Sequence, residues 1–204
     1  MPKSDREILS KFVPEKSVDF VLALIVEYEI SLNIKKARAS KLGDFKAPVN
    51  GLPPRLSING DLNKYAFLIT LVHEIAHWMV WRNYKNYRHL QPHGSEWKQS
   101  FQELMQPFLT SAIFPDPILK ILQKHMLNPK ASTTSDIHLL KVLKEYDKGE
   151  KAIVLADLEI GSSFELKGRQ CRILKKNRSR FLCVDIVIGK KYMVHSLAEI
   201  TPIN

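Results

Sequence analysis

From Leu62 to Trp81 the chain reads LNKYAFLITLVHEIAHWMVW, a stretch almost without polar side chains. A helix that is apolar around its whole circumference belongs inside a protein, so this segment has to be the buried spine on which the rest is packed. Between Lys64 and Arg82 the only acidic or basic side chains are His73, Glu74 and His77. Ionisable groups in such surroundings are costly unless they are paired or hold a metal. Residues four apart on a helix lie one above the other, so the imidazoles of His73 and His77 can reach one ion. Glu74 follows the first of them, where its carboxylate can hydrogen-bond a water on the open side of that ion. This is the H-E-x-x-H pattern of zinc hydrolases, two ligands plus a general base. The structural alternative is a pair of core histidines satisfied by hydrogen bonds.

Catalytic zinc takes three protein ligands and leaves a fourth position open. The third is expected in His93-Gly94-Ser95-Glu96-Trp97, with His93 sixteen residues beyond His77, too far for the same helix and ample for a loop that doubles back. Gly94 allows an unusual backbone angle beside the metal, and Ser95 suits the N-cap of a following helix. Trp97, Phe101, Leu104, Met105 and Phe108 recur at helical spacing in that helix. His93 is the leading candidate, Glu96 the main rival and His89 the other.

HEIAHW followed by HGSEW, preceded by Arg55-Leu56-Ser57-Ile58-Asn59 and by the approach Lys36 to Gly43, resembles the SprT-like (Spartan-type) zinc metalloproteases. The resemblance runs from about residue 15 to about 110 and more faintly beyond. It implies an α+β, zincin-like metalloprotease domain with helices packed on a small sheet. It also implies one Zn2+ on His73, His77 and His93, with Glu74 as catalytic base. Its substrates would be proteins associated with DNA. Many members carry a C-terminal zinc ribbon held by four cysteines. This chain has only Cys171 and Cys183 and no C-x-x-C, so a second structural zinc is not expected and the two thiols read as small core residues.

Before the spine, residues 14–32 read as one amphipathic helix (Val18, Val21, Leu22, Ile25, Val26, Leu32), 33–39 as a short strand, Leu42-Gly43-Asp44 as a turn and Asn50 to Pro54 as a loop. Arg55 to Asn59 reads as a strand able to take an extended peptide along its edge, and Asn59 or Asp61 as the cap of the spine helix. Arg82 to Pro92 interleaves basic and aromatic residues, suited to phosphate contact or to plain solvation. Tyr84, Tyr87 or His89 could stabilise an oxyanion there. Pro107 should end the next helix near Gln106, and Pro115-Asp116-Pro117 should start another. Asn128 to Ser135 reads as a linker, followed by a brief bracing helix from Asp136 to Tyr146. From about Ile153 the pattern changes to strands, with Arg180 to Ile188 the longest. The expected organisation is a protease domain over 1–130, a linker and short helix over 131–150, and a small antiparallel β module over 151–204.

A net charge of +10 favours an acidic partner. In the β module Arg169, Arg172, Lys175, Lys176, Arg178 and Arg180 fall between Glu165 and Asp185 with no acid among them. On two strands and a turn, alternate basic side chains share a face that can line a phosphate backbone, without reading sequence. Two cysteines exclude a disulfide scaffold and fit a cytoplasmic protein, with or without association with the nucleoid. The start of the chain has no apolar leader and no run reads as a membrane span, so no membrane partner is expected. The function expected is that of a zinc endopeptidase in which Glu74 activates a zinc-bound water, acting near nonspecific DNA. The rival is a nucleic-acid-binding protein whose zinc is structural.

Overall fold

The computed structural model describes every residue except 1–3, 39, 131–135, 148–152, 178 and 204. Most of the expected linker and the candidate Arg178 therefore lie outside the described residues. The protein is mixed α+β, with six α-helices and two small sheets among the described residues. It divides into two compact units, Met1–Asp147 and Lys148–Asn204, and the division falls inside the segment expected to link them.

In the first unit, helix α1 (Asp5–Leu9) is closed by a capping box between Ser4 and Glu7. The expected helix over 14–32 is shorter. A 3-10 turn (Glu15–Ser17) leads into α2 (Val18–Glu27), and Glu29 then adopts φ 50° and breaks it. Leu32 lies instead in β1 (Ser31–Lys35). β2 (Gly43–Lys46) occupies the expected turn at Leu42 to Asp44, and β3 (Arg55–Asn59) is the expected strand. The sheet order is β1-β3-β2, with β1 parallel to β3 and β2 antiparallel to it. β3 is thus the central strand, hydrogen-bonded on both sides, and cannot take a peptide along its edge as expected; the free edges belong to β1 and β2. Asn50 and Gly51 both have positive φ (52° and 76°) and close a tight turn between Val49 and Leu52, which suits the Asn-Gly pair.

The spine is α3 (Lys64–Asn83), with Phe67, Leu68, Ile69, Leu71, Val72, Ile75 and Ala76 fully buried. Its cap is Asn63, rather than Asn59 or Asp61. The Asn63 side-chain oxygen accepts from the N–H groups of Tyr65 and Ala66 (3.1 and 3.0 Å). Its amide donates to the Leu143 carbonyl (2.9 Å) and to Asp147 (2.7 Å), tying the head of the spine to a distant segment. Asn59 has another task. Its amide donates to the carbonyls of Arg38 and Lys41 (3.1 Å each) and its oxygen accepts from Arg38 Nε (2.7 Å), which fixes the loop into β2.

Helix α4 (Ser95–Met105) lays Trp97, Phe101 and Met105 against the spine, one residue per turn. It ends in a 3-10 turn (Gln106–Phe108) where Pro107 removes a donor. Helix α5 (Asp116–Met126) starts at the expected Pro-Asp-Pro, and α6 (Ile137–Lys144) buries Leu139, Val142 and Leu143 in the same core. Buried His125 at the end of α5 meets Asp136, the N-cap of α6, with Nδ1 and Oδ2 2.9 Å apart.

The second unit is a five-stranded antiparallel sheet, order β7-β6-β5-β4-β8. Its strands are β4 (Ser163–Leu166), β5 (Arg169–Lys176), β6 (Arg180–Asp185), β7 (Lys191–His195) and β8 (Thr201–Ile203), the last not anticipated. Leu155, Phe164, Cys171, Ile173, Phe181, Cys183, Val194 and Ile200 form its core. Both cysteines are free and buried, as expected of small core residues, and burial pushes the Cys183 thiol up to about 11. β6 stops at Asp185, three residues short of the expected Ile188. Asp185 turns inward there, and its carboxylate accepts the N–H groups of Val187 and Ile188 (3.0 and 3.1 Å), bending the chain into a turn.

Candidate metal centre

Three side chains meet between α3 and α4. The Nε2 atoms of His73 and His77, one helical turn apart, are 3.2 Å from each other. His93 Nε2 lies 3.1 Å from His77 and 3.3 Å from His73. A tetrahedral zinc with bonds of about 2.0–2.1 Å sets its ligand nitrogens about 3.3–3.4 Å apart. The triangle has nearly that size. Three ring nitrogens aimed at one centre cannot satisfy each other, because each offers either a hydrogen or a lone pair in that direction. A cation accepting three lone pairs resolves the conflict.

The protonation states agree with that donor set. Burial, together with the neighbouring His77 and His93, pushes His73 down to about 2. Burial and then His93 push His77 down to about 4, and burial lowers His93 as well. The triad is therefore held as neutral imidazoles, the form that ligates metal. Among the described residues, these three are the only group of histidine, cysteine and carboxylate side chains placed to hold an ion.

His93 owes its place to the entry of α4. The Gly94 N–H donates to the Gln91 carbonyl (2.9 Å), closing a turn that presents His93. Gly94 has φ −71°, so no unusual backbone angle is needed, contrary to expectation. A Cβ there would sit 3.2 Å from the Gln91 carbonyl oxygen and 3.3 Å from its Cβ, so the glycine serves the tightness of the turn. Gly94 is also the N-cap, where Ser95 was expected. Ser95 instead donates its hydroxyl to the neighbouring Glu96 carboxylate (3.0 Å). Glu96, the rival ligand, is thereby engaged away from the triad.

The residue that sequence reasoning missed is Trp97. Its ring lies 4.6 Å from His73, 4.7 Å from His93 and 5.6 Å from His77, centroid to centroid. It is buried, stacked on Phe101 at 5.0 Å, and its indole N–H reaches the His73 carbonyl at 3.4 Å. One tryptophan thus walls all three imidazoles. Its position four residues after His93, on the first turn of a helix, was the available signal.

Glu74 is buried and covered by β2. A Cβ on Gly43 would fall 2.4 Å from Glu74 Oε1 and 2.8 Å from its Cγ, so only glycine lets the strand pass over the carboxylate. Burial and then the nearby Asp44 charge push Glu74 up to about 8, against the pull of Arg38, Lys41 and the Phe45 N–H that donates to it. Arg38 is pinned by Asn59, by Ser57 Oγ and by the Ser57 carbonyl (both 3.1 Å). Asp44 pairs with Lys41 at 2.6 Å. A carboxyl whose pKa lies near the working pH can take a proton when ionised and return it when protonated.

The other candidates are dispersed. Tyr87 packs on Trp81 (5.8 Å) and accepts from Arg88 (3.2 Å), and Tyr84 is exposed. In the second unit the basic residues split between two faces: Arg169 and Arg172 alternate along β5, and a bulge at Leu174 puts Lys175, in place of Lys176, on the Arg172 side. Arg172, Lys175 and Arg180 point outward with Leu182 and Val184. Arg169 shares the other side of the sheet with Tyr192, whose hydroxyl accepts from it (2.7 Å), and Lys176 lies 5.5 Å over the Phe181 ring. No family model, curated protein or solved structure matches the chain. What fold and site define together is a mixed α+β protein with a three-histidine centre able to hold a metal ion. Among the described residues no helix is long and apolar enough to cross a membrane.

Proposed function

We propose that the chain is a zinc-dependent endopeptidase of the SprT-like, zincin type, with zinc on His73, His77 and His93 and Glu74 as general base. The observation that carries this reading is the His73–His77–His93 triangle, with sides of 3.1 to 3.3 Å. A zinc ion bound there supplies Lewis acidity, making a coordinated water acidic and drawing electron density from a peptide carbonyl. Glu74 is placed to take a proton from an attacking water on a carboxylate oxygen and to deliver it to the leaving amine as the peptide C–N bond breaks. The Phe45 N–H and the pinned Arg38 hold the carboxylate in place for both transfers. Trp97 and Phe101 fix the rings and keep water from the inner side of the site.

The free edge of β2, which passes directly over Glu74, is the strand against which an extended peptide would add. The outward cations Arg172, Lys175 and Arg180 support nonspecific contact with DNA, so that the substrates would be DNA-associated proteins. A structural zinc in a nonproteolytic nucleic-acid-binding protein would call for a fourth protein ligand. Among the described residues the cluster has three.

The test is metal analysis of the purified protein, joined to cleavage of casein and histone with and without single-stranded DNA, for wild type and Glu74→Gln. One equivalent of zinc in both, with cleavage confined to wild type, is the expected result. Proteolysis retained by Glu74→Gln would end the assignment.

A further inference from the structure

The turn between β6 and β7 places three branched aliphatic side chains where a hairpin normally carries polar ones. Ile186, Val187 and Ile188 are 44, 78 and 64 % exposed. The turn is built, not frayed. Its Val187 and Ile188 N–H groups end on the buried Asp185 carboxylate, and Ile186 N–H donates to the Gln170 carbonyl (2.9 Å). Gly189, at φ 70°, returns its N–H to the Asp185 carbonyl (2.9 Å). A rigid loop that spends a buried acid on holding three apolar side chains in water marks an interaction site. Cations surround it. Lys190, its Nζ 5.8 Å from the Tyr192 ring, and Lys191 follow directly, and Arg172 is in register with Val184, which pairs with Lys191.

We propose that this tip docks the second unit onto the surface of a bilayer carrying anionic headgroups, with Ile186, Val187 and Ile188 entering the acyl boundary and Lys190, Lys191 and Arg172 meeting the phosphates. A contiguous apolar tip ringed by cations matches the two layers of such a surface, apolar below and negative above. A phosphate backbone would use the cations and leave three aliphatic side chains in water. A wedge between base pairs would use one of them. The expectation of no membrane partner rested on the lack of a spanning segment, and a surface anchor needs none. The inference is independent of the proposed peptidase chemistry. Binding is reversible and salt-sensitive, because the apolar area is small and each cation adds only a modest share.

The experiment is cosedimentation of the full chain with vesicles of phosphatidylcholine alone and of phosphatidylcholine with phosphatidylglycerol. It compares wild type, Val187→Asp/Ile188→Asp and Lys190→Gln/Lys191→Gln, with circular dichroism and melting temperature confirming that each variant is folded. Wild type is expected to sediment with the anionic vesicles only and to release as salt rises. The tip variant should bind at least tenfold more weakly and the lysine variant roughly ten- to thirtyfold more weakly. Should the aspartates unfold the turn, Val187→Ser/Ile188→Ser gives the same readout. No binding to anionic vesicles, or binding that both variants retain, overturns the proposal. So does a tip variant that leaves vesicle binding intact while releasing duplex DNA, or while converting a dimer to a monomer.

Discussion

The two units treat charge in opposite ways. In the first, the ionisable groups of the spine are few and buried or half-buried, and three imidazoles converge on one centre. In the second, the cations are many and exposed, and their directions follow from which strand and which side of a bulge each occupies. Burial turns charge into a site whose geometry is over-determined; exposure leaves a surface whose partner has to be argued from its pattern. The consequences should be unequal, large and cooperative in the first unit and graded in the second.

The sharpest break is His77→Ala, which removes the corner of the triangle nearest both other nitrogens. Zinc content should fall from one equivalent to none, and cleavage should vanish. Zinc at a thousandfold excess over its dissociation constant stabilises by about 4 kcal/mol, worth roughly 10 °C in a chain of this size. That rise in melting temperature should appear for wild type and be missing from the variant. An unchanged zinc-dependent rise would remove His77 from the centre.

The second effect is a pH dependence in the metal-free protein. Folding raises the Glu74 carboxyl from about 4.5 to about 8, so between those values the folded state binds a proton that the unfolded state has released. The stability from Glu74 is complete at low pH and is lost as pH rises through about 8. His73 and His77 act with the opposite sign. Folding lowers them to about 2 and about 4, so the unfolded chain takes up protons below its ordinary histidine value and stability is lost as pH falls from about 6.5. Glu74→Gln should abolish the alkaline loss, a few kcal/mol at most by the order of the shift, and leave the acid side unchanged. Urea denaturation of EDTA-treated protein at pH 6 and pH 8 measures this, and equal alkaline losses in the two proteins would refute it.

These first two tests concern groups that the sequence already exposed. His73, Glu74 and His77 stand out because charge inside an apolar run is anomalous at any level of description. His93 follows because a loop closed by glycine and a helix start leave it little freedom. The covering strand was less legible. Leu42-Gly43-Asp44 has turn composition, and β2 exists only because it pairs with β3 and passes over Glu74, a tertiary reason absent from any window of sequence. Asn59 looked like a cap and became the tie for Arg38 for the same cause. In the second unit the bulge at Leu174 decided that Lys175, and not Lys176, faces outward. A one-residue slip of that kind leaves no mark on the alternation that precedes it.

Gly43→Ala probes that covering strand and should have the third-largest effect. A methyl 2.4 Å from Glu74 Oε1 forces either the strand or the carboxylate to move. A displacement near an ångström costs a catalytic group about a hundredfold. The expected outcome is kcat lower by that order with zinc stoichiometry intact, since the atoms nearest the added methyl belong to Glu74 and Thr70. Loss of zinc together with activity would show that β2 supports the whole centre and not the carboxylate alone.

The smallest expected effect tests the second unit's side of the comparison. If the outward cations carry the proposed DNA contact, replacing Arg172, Lys175 and Arg180 by glutamine removes three phosphate contacts. The slope of log affinity against log salt should then become shallower by about 2.7, at about 0.9 per contact. Replacing Arg169 and Lys176, which are committed to Tyr192 and Phe181, removes two charges from β5. Its slope should change far less, because those side chains are already occupied on the other face. The pair of variants therefore separates placement from charge count: slope changes of about 2.7 and about 1.8, in proportion to the three and two charges removed, would mean that DNA senses only the total positive charge. The division made by the bulge would then have no bearing on binding.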